Sequence, residues 1–366
     1  MMSVPTSKSV RKEAAGHPAD TPGSLSSNSR LPSRTEPSTD SFKSDAGRAC
    51  NSLNSGNSSN SCFHRWYIYQ KERFPLLAHG PLVLAFSLSA LCFSTLLRGS
   101  QNWPVWPAII VAFLNSLFFF LQLRLADEFK DFEEDSKFRP YRPVPSGLVK
   151  LRELGVLWAV IIGFQIILTV WFHLQLLWFL AITWIYLLLM SKEFFCRPWL
   201  KAHPFTYMWT HMLIMPLIDL NATACDWSPA QGSAPPGLSW FVIVSFFNGF
   251  NLEIGRKIRV PEQEETGVET YSFLWGKRGA IRAWLLALLL TTVSGCVAAR
   301  LIGFEYPFLI VFGIIFLTAM VAGIHYLRTS SQNAARFIQP LSAIFTLALY
   351  LMLGVIPLVI RLIWTH

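Results

Sequence analysis

The stretch Arg124-Leu-Ala-Asp127-Glu128-Phe-Lys130-Asp131-Phe-Glu-Glu-Asp135, continuing to Arg139-Pro140-Tyr-Arg142-Pro143-Val-Pro145-Ser-Gly147, interrupts an otherwise apolar chain. The run before it, 104–125, is long enough to span a bilayer's hydrocarbon core, which takes about 20 residues. Asp127, Asp131 and Asp135 recur every fourth residue just beyond that run. On a continuing helix each step rises about 6 Å and keeps the three carboxylates near one face. Their mutual repulsion is costly unless a cation sits among them. Hard oxygen ligands that leave room for water and phosphate oxygens suit Mg²⁺. The Arg-Pro pairs that follow, with Arg139 and Arg142, predict a turn that aims guanidinium groups at phosphates. The plain alternative is a solvated loop whose acids are offset by nearby Lys and Arg. Regular spacing at a membrane edge favours the metal–phosphate reading.

The whole chain agrees with a membrane setting. Of 366 residues, 52% are hydrophobic and only 14% charged, with a mean hydropathy of +0.39, whereas a soluble domain spends about a quarter of its residues on charge. That excludes a soluble globular enzyme. The net charge of +9 matches basic loops facing one side of a bilayer, so no nucleic-acid partner is expected. Six Cys form no CxxC pair, so neither zinc nor a disulfide framework is indicated. Residues 1–61 differ: sixteen Ser, seven basic and five acidic side chains cannot bury enough apolar surface, and the stretch reads as a disordered tail. A transit peptide is the alternative, against which the acids and the lack of an amphipathic helix weigh. Residues 62–366 then form the membrane domain.

Nine apolar stretches follow, near 75–97, 104–125, 153–172, 174–191, 205–222, 238–254, 281–300, 304–326 and 338–363. Segments 124–152, 192–204 and 253–282 carry seven, three and six Lys or Arg, while the opposite side has little beyond Arg98, Arg300 and Arg361. Positive loops stay in the cytoplasm, so a multi-pass protein is expected with its N-terminus cytoplasmic and its C-terminus across the membrane.

Here the chain resembles the UbiA superfamily of intramembrane prenyltransferases. Their first signature, NxxxDxxxD followed by an RPxxxG-like turn, looks like Asp127-xxx-Asp131-xxx-Asp135 followed by Arg142-Pro143-Val-Pro145-Ser-Gly147. The resemblance covers roughly 65–366, with Asp127 standing where the family has Asn. It implies an all-helical bundle of nine transmembrane helices around a central cavity. It further implies Mg²⁺ bridging aspartates to a prenyl diphosphate whose tail lies in an apolar chamber.

The second polar loop departs further. Family members carry a second Asp-rich stretch before a Gly-xx-Thr segment; here Gly267-Val-Glu269-Thr270 and Gly276 are present, but the aspartate positions fall on Arg256, Arg259 and Gln263. Two solutions stay open. Glu253, with Glu262 or Glu265, can hold a second metal, or Arg256, Lys257 and Arg259 neutralise the diphosphate directly. A merely basic juxtamembrane loop is the third reading. Lys192 resembles the family's diphosphate-contacting Lys, although a Lys at a helix end is expected on topology alone. Asn248 and Asn251 precede the second loop at helical spacing and are read as cavity-facing. His211 reads as a satisfied interhelical residue, Asp219 as reaching water near the outer end of its helix, and Asn221-Ala-Thr223 as a glycosylation sequon.

The resemblance implies ionisation of an allylic diphosphate and transfer of the prenyl group to a lipophilic, aromatic-type acceptor. Terpene cyclisation on the same ionisation site is the alternative. A transporter or scaffold is disfavoured, because transporters place charge at the midplane and show internal repeats.

Overall fold

In a bilayer the backbone N–H and C=O groups find partners only within a helix or a closed barrel, and every long apolar run here is helical. The computed structural model describes residues 58–264 and 270–365. Residues 1–57, most of the stretch read as a tail, lie outside the described residues, as do Glu265, Gly267 and Glu269. In order the chain forms α1 (Ser58–Arg73), α2 (Leu76–Leu97), α3 (Trp106–Lys130), α4 (Phe132–Phe138), α5 (Leu151–Phe172), α6 (Leu177–Ser191) and α7 (Arg197–Ala202). It continues with α8 (Pro204–Met212), α9 (Ile214–Gln231), α10 (Leu238–Arg256), α11 (Tyr271–Leu301), α12 (Glu305–Thr329), α13 (Gln332–Leu353) and α14 (Val355–Thr365). No strand occurs among the described residues.

Eight stretches among the described residues are long and apolar enough to cross a membrane, not the nine expected. They are α2, α3, α5, Leu174–Ser191, α10, α11, α12 and the run Gln332–Trp364 made of α13 and α14. The fifth expected crossing is instead the pair α8 and α9, which meet at Leu213. The reason is position. Helix α9 packs against α2, α3, α6 and α10, and Ile218, Asp219, Ala222 and Cys225 are all buried. A helix enclosed by others has no lipid-facing side to keep apolar, so it tolerates polar residues. By contrast only 22% of the most apolar window of α5 and of α12 is buried, and their exposed Val156, Val160, Ile310 and Ile314 form the kind of apolar face that lipid covers.

This placement corrects two expectations. Asp219 does not reach water: it is fully buried, and the Tyr350 hydroxyl donates to its Oδ2 at 3.0 Å. Asn221 and Thr223 of the sequon are likewise buried within α9, so the folded protein does not offer them for glycosylation. Polar pairs also join the outer helices: Gln122 donates to Gln165 at 3.0 Å and Asn115 to Thr169 at 3.3 Å, linking α3 to α5. At the other end of α2, Arg98 grips Asp226 through Nε at 2.9 Å and Nη2 at 2.7 Å. The last crossing breaks at Gly354, where an added Cβ would lie 2.2 Å from the Ser89 carbonyl oxygen; only glycine lets the chain pass so close to α2.

Candidate active site

Helix α3 ends at Lys130 and α4 restarts at Phe132, but the backbone ladder is nearly continuous. Asp131 N–H donates to Asp127 at 2.9 Å, Asp135 to Asp131 at 2.8 Å and Arg139 to Asp135 at 2.8 Å. The three aspartates thus keep their four-residue step while their side chains meet different fates. Asp127 pairs loosely with Arg124 at 3.5 Å. Asp135 is buried and accepts from Arg139 at 3.0 Å and from Arg142 at 2.5 Å. That carboxylate folds the Arg-Pro segment into a compact turn, closed by Ser146 N–H to Arg142 at 2.9 Å. Gly147, with φ of 79°, supplies the left-handed residue that this turn requires.

Asp131 makes no hydrogen bond or ion pair through its side chain among the described residues. Burial pushes its carboxyl above the usual carboxylate range, and Asp127, Asp135 and Glu134 add to the effect while Lys130 opposes it. Lys130 is engaged elsewhere: its Nζ donates to the Tyr207 hydroxyl at 2.8 Å, and Tyr207 donates to Glu193 at 3.2 Å. Glu128, also in this stretch, faces away from the aspartates and forms a buried ion pair with Arg73 of α1.

In the second loop Glu253 is neutralised by its own helix end, with Arg256 at 2.5 Å and Lys257 at 2.8 Å. The Lys257 ammonium also lies 5.4 Å from the centre of the Tyr271 ring. Glu264 accepts from Thr270 at 2.6 and 2.7 Å, and Thr270 caps α11 by accepting from Phe273 N–H. Arg259 and the exposed Glu262 line a pocket of about 750 Å³, together with Arg256, Glu264, Arg336 and Gln339. Glu265 lies outside the described residues. Asn248 and Asn251 are fully buried in a hydrogen-bonded seam: Thr346 donates to Asn248 at 2.9 Å, and the Trp284 indole to Asn251 at 3.1 Å and to Ser342 at 2.8 Å.

The two loops lie within electrostatic range of each other: Asp127 acts on Arg256, and Lys130, Glu253 and Lys257 all act on His211 of α8. Lys192 is exposed at the end of α6, and its neighbour Glu193 is the residue drawn into the site. Glu193 is buried on a turn in which Glu193, Phe194 and Phe195 all have positive φ, of 48°, 52° and 59°.

Sequence reasoning thus missed Lys130, Tyr207, Glu193 and His211 as members of one cluster. Tyr207 and His211 stand four apart just after Pro204, a spacing that puts both rings on one helix face. Among the described residues no three Asp, Glu, His or Cys side chains converge on one point where a metal ion would sit.

A family model described as the UbiA prenyltransferase family matches residues 87–350, a span that holds both loops. The chain belongs to the UbiA prenyltransferase family. Two solved UbiA-type structures are similar in fold. A structure concerned with digeranylgeranylglyceryl phosphate synthase in membranes is 16% identical, with a TM-score of 0.56, covering 82% of this chain and 99% of that one. The apo structure of a UbiA homologue from Aeropyrum pernix K1 is 14% identical, with a TM-score of 0.57, covering 76% and 97%. No curated protein matches the sequence. Membership makes the chain a multi-pass membrane protein of the prenyltransferase type, from a family acting on prenyl diphosphates with lipophilic acceptors.

Proposed function

We propose that this protein is a Mg²⁺-dependent prenyltransferase that ionises an allylic isoprenyl diphosphate between the two polar loops, and passes the prenyl group to a lipophilic, aromatic acceptor. The observation that supports the reading is Asp131, a largely buried carboxylate with no cation bonded to it, beside Asp127, which lies within electrostatic range of Arg256 at the basic end of α10. Mg²⁺ commonly binds through one or two carboxylates plus substrate phosphates, not in an all-protein cage. Asp127 and Asp131 fit that pattern; Asp135, already held by Arg139 and Arg142, shapes the turn. Bound there, the ion supplies Lewis-acid stabilisation of the leaving diphosphate.

The protein's own groups do the rest. Arg256 and Lys257 offer charge to the departing phosphate oxygens. Asp135 holds Arg139 and Arg142 ready at the rim of the site. The apolar bundle keeps water from the allylic cation, and aromatic faces stabilise it through their quadrupoles. We place both basic loops on the cytoplasmic side, as the Lys and Arg distribution supports.

The test supplies membranes holding the protein with allylic diphosphates of ten to twenty carbons and Mg²⁺, with and without an aromatic acceptor. Acceptor-dependent prenylation that chelator abolishes is expected. A hydrocarbon or alcohol product formed without acceptor would replace transfer by cyclisation, and no diphosphate release at all would overturn both.

A further inference from the structure

Among the described residues around the two loops, His211 of α8 has a buried ring nitrogen with no partner. Its Nδ1 lies 2.8 Å from the Tyr207 carbonyl oxygen. A carbonyl only accepts, so Nδ1 carries the proton and, in the neutral ring, Nε2 is left with a bare lone pair. That Nε2 is buried and has no protein partner, and the residue is only 9% exposed. A structural histidine in a helix bundle ordinarily satisfies both nitrogens. The ring is held rigidly, stacked on Tyr207 at 4.0 Å between centroids and edge-on to Phe194 at 6.3 Å. The charged groups that reach it come from both loops: Lys130 from α3, and Glu253 and Lys257 from the end of α10. Its own helix contributes Tyr207, itself tied to Lys130 and Glu193.

From this geometry we propose that His211 is the base of the transfer step; the assignment rests on the transferase reading above. Substitution of an acceptor by an allylic cation has a fixed balance. The C–O bond to diphosphate breaks and its electron pair leaves with the diphosphate. A new bond forms from the acceptor's electrons, and the acceptor must then lose one proton from a ring carbon or a hydroxyl. Nε2 takes that proton, and the resulting imidazolium keeps its Nδ1–H on the Tyr207 carbonyl until the proton passes to water after product leaves.

Ionisation and proton removal are separable, and this makes the test. In membranes assayed for both diphosphate release and prenylated acceptor, His211→Asn keeps a donor in the place of Nδ1–H and removes the base. Transfer should fall about 100-fold, the range a positioned general base contributes, while diphosphate release and its KM change by less than about threefold. The released prenyl group should appear as alcohol. In His211→Ala, added imidazole should restore transfer and pyrrole, a ring without the basic nitrogen, should not. Wild-type transfer rates in both variants, or equal rescue by pyrrole, would overturn the assignment, as would equal loss of release and transfer. A wild-type protein that releases diphosphate with no acceptor-dependent product would instead overturn the transferase reading.

Discussion

Asp131 and Glu253 each stand at the end of a long apolar helix, one in each polar loop, and their surroundings are opposite. Glu253 has two cations of its own, Arg256 and Lys257, within 2.8 Å. Asp131 has none bonded to it, because the adjacent Lys130 is drawn off to Tyr207. A carboxylate with its cations in place gains little from a metal ion; one crowded by Asp127, Asp135 and Glu134 gains much. Under the proposed function, the first loop takes the metal and the second the phosphate. This favours the basic-neutralisation solution for the second loop over a second carboxylate metal site there.

Breaking that contrast at its strongest point should give the largest effect. Asp131→Asn should lower diphosphate release by about 100-fold or more with an unchanged unfolding midpoint in detergent, whereas Glu253→Gln should cost far less; equal losses would erase the distinction between the loops. Asp135→Ala removes the shared partner of Arg139 and Arg142. A buried pair broken on one side costs several kcal/mol, and the partial exposure of both guanidinium groups lowers this to about 2 kcal/mol. Thermal unfolding in detergent reads the cost, and faster proteolysis within 139–149 should accompany it.

Arg256→Ala should raise KM for the diphosphate about tenfold, as expected for one lost charge-assisted contact of about 1.4 kcal/mol, with a smaller change in kcat. An unchanged KM would leave that arginine as no more than a partner for Glu253. The smallest effect is expected at the exposed rim, where Glu134 accepts from Lys201 and pairs with Arg197 at 3.3 Å. The hydrogen bond from Lys201, with the nearby Lys201 and Arg197 charges, holds this carboxyl below its ordinary value of 4.5 despite some burial. The pair's contribution is thus complete above pH 4.5 and fades as pH falls through the lowered value. Glu134→Gln should cost about 0.5 kcal/mol or less at neutral pH and nothing in high salt, as unfolding midpoints across pH and ionic strength will show.

Much of this was legible from residue order. Apolar runs of about 20 residues admit one solution in a bilayer, and the four-residue step from Asp127 to Asp135 survives in the backbone ladder. What failed had a common cause: hydropathy averages over a helix and is blind to what surrounds it. That is why α9, packed among α2, α3, α6 and α10, is not among the eight apolar stretches, and why its Asp219 is buried where its place near a helix end predicts water. The unpartnered Nε2 of His211 follows from the hydrogen bond of Nδ1 to the Tyr207 carbonyl, a three-dimensional fact that residue order does not carry. The burial of Glu193 is not legible in the sequence, because no local rule foresees three successive left-handed residues without glycine.

That left-handed turn has a consequence in time as well as in space. Each such residue is disfavoured by roughly 1 kcal/mol, so the segment 193–195 relaxes unless Tyr207 and Arg197 keep hold of Glu193. Tyr207 in turn holds Lys130 away from Asp131. Loosening one end of this linkage loosens the other. The end of α6 and the charge state around Asp131 should therefore fluctuate together, and amide hydrogen exchange at Phe194 and Phe195 becomes a remote gauge of whether the aspartate site is engaged.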